Sequence, residues 1–228
     1  MKPWQNIPIF DNKEKLISLP KEFIFINPHP YFKLGAPYKN LDNLWNLREG
    51  VVARLIKANE YLKSKNSGYK IIVYDCYRPI EVQKYMFLLA FKKECMKEGI
   101  NFSKNSIELF PKILKKVEKF WAYPNYDMNS PPPHSTGAAI DISITDKSGN
   151  LVNMGSEIDE MDNTSIPDFY KDSQTKEGLD FHNKRMILNE GMTKFGFSQH
   201  PNEWWHFSYG DQLWAWKNKL SNAIYGRI

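Results

Sequence analysis

The chain has 228 residues, 42% of them hydrophobic and 25% charged, the balance of a folded globular chain rather than a disordered or fibrous one, and one domain over 1–228 is expected. Lysine plus arginine exceeds aspartate plus glutamate by 31 − 26 = +5. The excess is spread out, however, and its densest clusters, Lys92–Lys93 and Lys112 to Lys119, carry helical periodicity, so they read as solvated helix faces and no nucleic-acid partner is expected. No apolar run approaches the roughly 18 residues of a membrane span, and Met1 to Asn6 lacks the apolar stretch of a secretory signal, so a cytoplasmic protein is expected, or a periplasmic one if a leader has been removed.

Residues 1–40 are rich in proline, asparagine and aromatics and are expected to form an irregular arm. Phe23 to Ile26 can form a short strand. Prolines 28, 30 and 37 oppose a regular helix after it, and Tyr31 and Tyr38 are read as packing residues of the arm, with a reach into a pocket as the alternative. From Leu41 to Lys65, Leu44, Leu47, Val51, Val52, Leu55, Ile56, Ala58 and Leu62 recur at helical spacing. Asn40 or Asp42 can cap this helix, and Asn66-Ser67-Gly68 can end it.

Tyr69 to Tyr74 follows as a strand that runs into Asp75-Cys76-Tyr77-Arg78-Pro79. An arginine at a strand end before a helix-starting proline either points into a cleft or forms a structural pair with Asp75 or Glu81. The two cysteines, Cys76 and Cys95, are too few for a disulfide framework. They read as buried thiols, with a Cys76 nucleophile activated by Arg78 as the alternative. Helices are predicted over 80–96, ending at Gly99, and over 106–120.

A loop with three consecutive prolines leads to His134-Ser135-Thr136-Gly137-Ala138-Ala139-Ile140-Asp141-Ile142-Ser143-Ile144. Ile140, Ile142 and Ile144 alternate with polar residues, so a strand should face the core with isoleucine and turn Asp141 the other way. Residues 152–162 form an acidic loop. A helix over 183–195 presents Met186, Ile187, Leu188 and Met192, and Gly196 ends it. Pro201-Asn202 is turn chemistry, which puts Glu203 on a bend and His206 on the aromatic strand beyond it. Leu213 to Ile228 is read as terminal packing.

Of five histidines, only His134 and His206 lie at strand edges with acids at useful spacing. Two neutral imidazoles and a carboxylate, here Asp141, are a ligand set for catalytic zinc that leaves a fourth position open. A −1 shell around a +2 ion lowers the pKa of a water there. Glu203 suits the base such a water needs, and Arg78 suits a developing oxyanion. Taken singly, each histidine reads as a satisfied core or surface residue.

Four pieces together carry a resemblance: Asp75-Cys76-Tyr77-Arg78-Pro79, His134 through Gly137 to Asp141, Met154-Gly155-Ser156 with Asp159, and Glu203-Trp204-Trp205-His206. Over roughly residues 40 to 210 the chain resembles the VanX-type D-alanyl-D-alanine dipeptidases, zinc D,D-peptidases that share a fold with hedgehog N-terminal domains. The resemblance implies an α+β fold with a central, mainly antiparallel sheet flanked by helices. It implies one zinc per chain on His134, Asp141 and His206, with Glu203 as general base and acid and Arg78 at the tetrahedral intermediate. It implies Asp159 near the ammonium group of a small dipeptide, with Tyr77 and Trp204 as further substrate contacts. The catalytic core would cover residues 41–210 and a packing segment 211–228. In one respect the chain departs from the family: Pro132-Pro133 stand where serines help to hold the substrate carboxylate, and proline offers neither hydroxyl nor N–H. The function expected is a zinc D,D-dipeptidase acting on D-alanyl-D-alanine or a similar short dipeptide. The alternatives are a zinc D,D- or L,D-carboxypeptidase acting on peptidoglycan stem peptides and a non-catalytic cell-wall binding module, against which Glu203 and Arg78 together argue.

Overall fold

The computed structural model describes residues 2–39, 44–65, 68–103 and 106–228. Their strands are β1 (Leu16–Ser18), β2 (Ile24–Phe25), β3 (Asn46–Arg48), β4 (Lys70–Asp75), β5 (Ala139–Thr145), β6 (Ser198–Gln199) and β7 (His206–Ser208). The helices are α1 (Pro30–Lys33), α2 (Glu49–Lys65), α3 (Ile80–Lys97), α4 (Ser106–Leu109), α5 (Pro111–Phe120), α6 (Lys176–Thr193) and α7 (Gln212–Lys217). Five strands make one sheet in the order β2-β4-β5-β7-β6. Every pairing is antiparallel except β2 with β4. This is the α+β fold with a mainly antiparallel sheet that the sequence predicts.

The alternation in β5 divides the interior. Ile140, Ile142 and Ile144 pack with Leu47, Leu55 and Leu62, with Leu188 and Met192 of α6, and with Trp204, Trp205 and Phe207. Asp141, Ser143 and Thr145 alternate with them and are buried too, so α2 and α6 cover one face of the strand and the functional cleft lies on the other. A second apolar cluster joins α3 to α5 through Phe87, Phe91, Ile113 and Val117, and it includes Tyr31 and Trp121. Helices α2 and α6 come very close at Gly191, where an added Cβ would lie 2.7 Å from a Leu62 methyl carbon.

Several boundaries differ from those predicted, each for a local reason. The helix expected from Leu41 begins only at Glu49, because Asn46–Arg48 pairs with β1 instead. Arg48 stabilises that arrangement by donating to the carbonyls of Thr136 (2.9 Å), Glu14 (2.5 Å) and Gly226 (2.9 Å). The predicted caps Asn40 and Asp42, and the stop residues Asn66 and Ser67, lie outside the described residues. The arm does contain one helical turn, α1: Pro30 stands at its first position, where a missing N–H costs nothing, and His29 Nδ1 accepts from the Tyr31 N–H at 3.2 Å. The helix predicted over 106–120 is two, since Pro111 starts a new one. Helix α6 starts seven residues earlier than expected, where Thr175 Oγ1 caps the Gly178 N–H at 3.0 Å. Its buried stripe includes Arg185, whereas Met186 is exposed.

Ile142 carries the isoleucine face of β5. Ile142→Ala should cost about 2–5 kcal/mol, the usual range for such a cavity, read as a lower urea midpoint at unchanged slope.

Candidate active site

Strand register sets the centre. Asp141 on β5 stands opposite His206 on β7 and opposite Asp75 at the end of β4, so three strands place three titratable groups side by side. His134 joins from a single 3-10 turn, Pro133–Thr136, which Gly137 ends in the left-handed region at φ 71°. A Cβ at Gly137 would also lie 2.5 Å from a Leu16 methyl carbon, so glycine is required twice over there.

His134 Nδ1 lies 2.8 Å from the carbonyl of Cys76. An N–H at Nδ1 donates to that carbonyl and leaves the Nε2 lone pair facing inward, the usual way in which an outer hydrogen bond orients a ligand imidazole. Nε2 is 3.2 Å from His206 Nδ1 and 3.2 Å from Asp141 Oδ2, and His206 Nδ1 is 3.0 Å from Asp141 Oδ1. These donor atoms all lie within 4.8 Å of one another and belong to buried residues. Tetrahedral zinc with bonds of 2.0–2.1 Å separates its ligands by about 3.4 Å, so the set fits such an ion. Two neutral imidazole lone pairs facing each other at this range would repel unless a cation or proton lay between them.

Burial would raise the Asp141 pKa, but contact with His134 and His206 outweighs burial and holds this carboxylate well below its ordinary range. Burial also acts first on Asp75, where Arg78, His29 and His134 reverse it. Glu203 has no comparable compensation. Burial pushes its pKa up to about 8, and Lys2 offsets only part of that rise. Its carboxylate lies 3.3 Å from His200 Nδ1 and 3.7 Å from His206 Nδ1.

Arg78 is the cation of the cluster. Its Nη2 pairs with Asp75 at 2.7 Å and reaches Asp141 at 3.4 Å, while Nη1 donates to Gln83 Oε1 at 2.8 Å. The guanidinium lies over the rings of Tyr31 (4.7 Å) and Trp121 (5.2 Å), a stacked site that a lysine would not reproduce. Both sequence readings of Arg78 thus hold at once: it is paired with Asp75 and it faces the cleft. The Tyr31 hydroxyl accepts from Arg78 at 3.2 Å and donates to Asp159 at 2.9 Å. Asp159 sits at φ 68°, an uncommon conformation for any residue with a side chain. Burial, and then Asp141, push its pKa up to about 7.

A cleft of about 780 Å³ gathers His134, Asp141, His206, Glu203, Arg78 and Asp159 along its walls. Tyr77 and Trp204, expected at the substrate, are not among its lining residues. The Tyr77 hydroxyl turns towards the Ile228 carbonyl at 3.5 Å. Trp204 is a core residue whose indole N–H donates to Ser156 Oγ at 2.9 Å and whose ring stands edge-on to Trp205. Because an aromatic next to a functional residue points elsewhere whenever the backbone turns, adjacency in sequence was a poor guide. The sequence gives no sign of Trp121 or Gln83, which come from distant segments and carry no motif, and Tyr31, read chiefly as packing, takes the alternative role by bonding the cleft residues Arg78 and Asp159. Cys76 is fully buried and burial pushes its thiol well above the ordinary range, which removes the nucleophile alternative.

Fold and site together define a metallopeptidase. The family model described as D-ala-D-ala dipeptidase matches residues 28–224. A D-alanyl-D-alanine dipeptidase of Synechocystis sp. (strain ATCC 27184 / PCC 6803 / Kazusa) is 39% identical over 241 residues, covering 100% of this chain and 97% of that one. The D-alanyl-D-alanine dipeptidase of Escherichia coli (strain K12) is 29% identical over 143 residues, 62% of this chain and 55% of its own. Among solved structures, VanYB in complex with D-alanine-D-alanine aligns over 95% of this chain and 94% of that one, with a TM-score of 0.47 and 14% identity. The chain belongs to the D-ala-D-ala dipeptidase family. Among the described residues, no helix is long and apolar enough to cross a membrane.

Asp75 holds Arg78, His29 and His134 at once. Asp75→Asn should therefore cost about 3–5 kcal/mol, as breaking a buried ion pair does, measured by urea unfolding.

Proposed function

We propose that the protein is a zinc-dependent D,D-dipeptidase that hydrolyses D-alanyl-D-alanine or a similar short dipeptide, with one zinc per chain and the whole of 1–228 serving as one catalytic domain. The observation that carries the reading is the convergence of His134 Nε2, His206 Nδ1 and the Asp141 carboxylate at 3.0–3.2 Å, with Glu203 beside them. His134, Asp141 and His206 would hold the ion. Bound there, zinc acidifies a water and polarises a carbonyl as a Lewis acid.

The remaining work falls to side chains of this chain. Glu203 takes a proton from the attacking water and returns it to the leaving amine; its buried position lets the carboxyl group hold that proton near neutral pH. Arg78, fixed in plane by Asp75 and Gln83, presents its Nη2 edge to the charge that builds on the carbonyl oxygen. Asp159, held by Tyr31, receives the substrate's free ammonium group. Anchoring that ammonium inside the cleft disfavours a longer chain on the amino side and so favours a dipeptide over a stem peptide.

Glu203→Ala should keep its zinc and lose about 10²–10⁴-fold in kcat, the span of general acid–base catalysis. His206→Ala should lose the metal itself, seen by elemental analysis after dialysis. Full activity in Glu203→Ala would sink the mechanism. Comparing D-Ala-D-Ala with its N-acetyl derivative tests the amino end: the acylated dipeptide should be hydrolysed far more slowly, and equal rates would favour the carboxypeptidase instead. Asp159→Asn should narrow that gap.

A further inference from the structure

A dipeptide substrate carries a carboxylate as well as an ammonium group, and the cleft residues assigned above leave it without a partner. Pro132 and Pro133 offer no donor there. The Ser135 hydroxyl is committed to the Arg78 carbonyl at 2.8 Å. Arg78, already braced by Asp75, Gln83 and Tyr31, is assigned above to the carbonyl oxygen. On α5, Lys116 pairs with Glu94 and Lys119 reaches the Asn163 side chain. Lys112 and Lys115 stand in the open at the cleft's rim.

The N-terminal segment supplies a different cation. Lys2, Pro3, Trp4 and Gln5 form part of the cleft wall. Trp4 fixes the segment: it is buried, stands edge-on to His200 at 5.6 Å and packs on Trp216 at 5.4 Å. The Gln212 side chain anchors it again by donating to the carbonyls of Gln5 at 3.2 Å and Ile7 at 2.7 Å. The Lys2 ammonium lies 5.5 Å from the Trp4 ring centre. Lys2 makes no ion pair with any described residue. Through Trp4 the segment adjoins His200, whose Nδ1 lies 3.3 Å from the Glu203 carboxylate, and Lys2 and Glu203 line the same cleft.

Chemistry locates the carboxylate on the same side. In a dipeptide it is attached to the carbon that bears the leaving nitrogen, so it lies beside whichever group protonates that nitrogen. In the function proposed above, on which this step rests, that group is Glu203. Asp159, by contrast, is joined to Arg78 through the Tyr31 hydroxyl, at the end assigned to the ammonium. We propose that Lys2 is the carboxylate-binding residue of the substrate site, and that the N-terminal segment of residues 2–7 takes over the recognition which Pro132-Pro133 cannot provide. Burial in the cleft wall, opposed by Glu203 and Glu118, lowers the pKa of the Lys2 ammonium, as expected of a cation awaiting an anionic partner in a partly dry site.

The test compares D-Ala-D-Ala with D-alanyl-D-alaninamide, which lacks the carboxylate, on zinc-loaded protein. Lys2→Met should raise KM for the dipeptide about tenfold or more, the worth of one hydrogen bond to a charged group, whereas any change in kcat through the loss of its charge near Glu203 should be the same for dipeptide and amide. KM for the amide should stay as it is, and Lys2→Arg should restore most of the loss. An unchanged KM, or an equal rise for dipeptide and amide, would overturn the assignment. Calorimetric titration of D-Ala-D-Ala into zinc-loaded Glu203→Gln protein, with and without Lys2→Met, decides the point without turnover. About tenfold weaker binding in the double variant supports Lys2 even if the wild type proves inactive on this substrate, a result that would refute the dipeptidase reading alone. Equal binding would dismiss Lys2.

Discussion

The buried carboxylate of Asp75 is the constraint on which the site depends. One oxygen faces His29 Nε2 at 3.2 Å, and the other takes Arg78 Nη2 at 2.7 Å and lies 3.3 Å from His134 Nδ1. A single anion at the end of β4 therefore orients a guanidinium, steadies the His134 imidazole and ties down the arm that carries Tyr31. Isolated in so dry a place, a carboxylate would be costly. Surrounded by three positive or polarisable partners it stays ionised, and the whole group becomes rigid. Orientation of this kind, set before substrate arrives, is what lets charge stabilisation act without reorganisation.

The second constraint is the difference between the two acids near the centre. Asp141 touches both imidazoles and is held strongly ionised, the state that the proposed metal-binding role needs. Glu203 is as well buried, but its more distant imidazoles do not offset that burial, so its pKa rises to about 8. Two carboxylates that both face His206 Nδ1 thus acquire opposite proton affinities from their surroundings alone, which suits them to the two different tasks proposed for them.

Much of this was legible in the sequence, and the pattern of what was not is instructive. The alternation of Ile140, Ile142 and Ile144 against Asp141 is a local rule of strands, and it predicted both the core face and the opposite face that carries Asp141. The bend at Pro201-Asn202 correctly separated Glu203 from His206. The places of Tyr31 and Trp121 beneath Arg78 were not legible, because they depend on how the arm and α5 pack, and no short-range pattern encodes that. Tyr77 and Trp204 misled for the converse reason: each neighbours a functional residue along the chain while the backbone directs its ring elsewhere. Asn46–Arg48 shows the same override within an element, since a helical pattern gave way to pairing with β1. Lys2 had no signal beyond charge, and only the folded arm brings it to the cleft.

The two faces of β5 have one further consequence. Because side chains alternate with a period of two, core register and ligand register are the same register. A single residue inserted between Gly137 and Asp141 would exchange the isoleucines with Asp141, Ser143 and Thr145, emptying the core and the site together. The turn beyond the strand is under no such restriction: Asp146 to Asn150 close on themselves through Asp146. The chain should therefore tolerate added length in that turn and not in the six residues that join His134 to Asp141, where the core and the site share a single register.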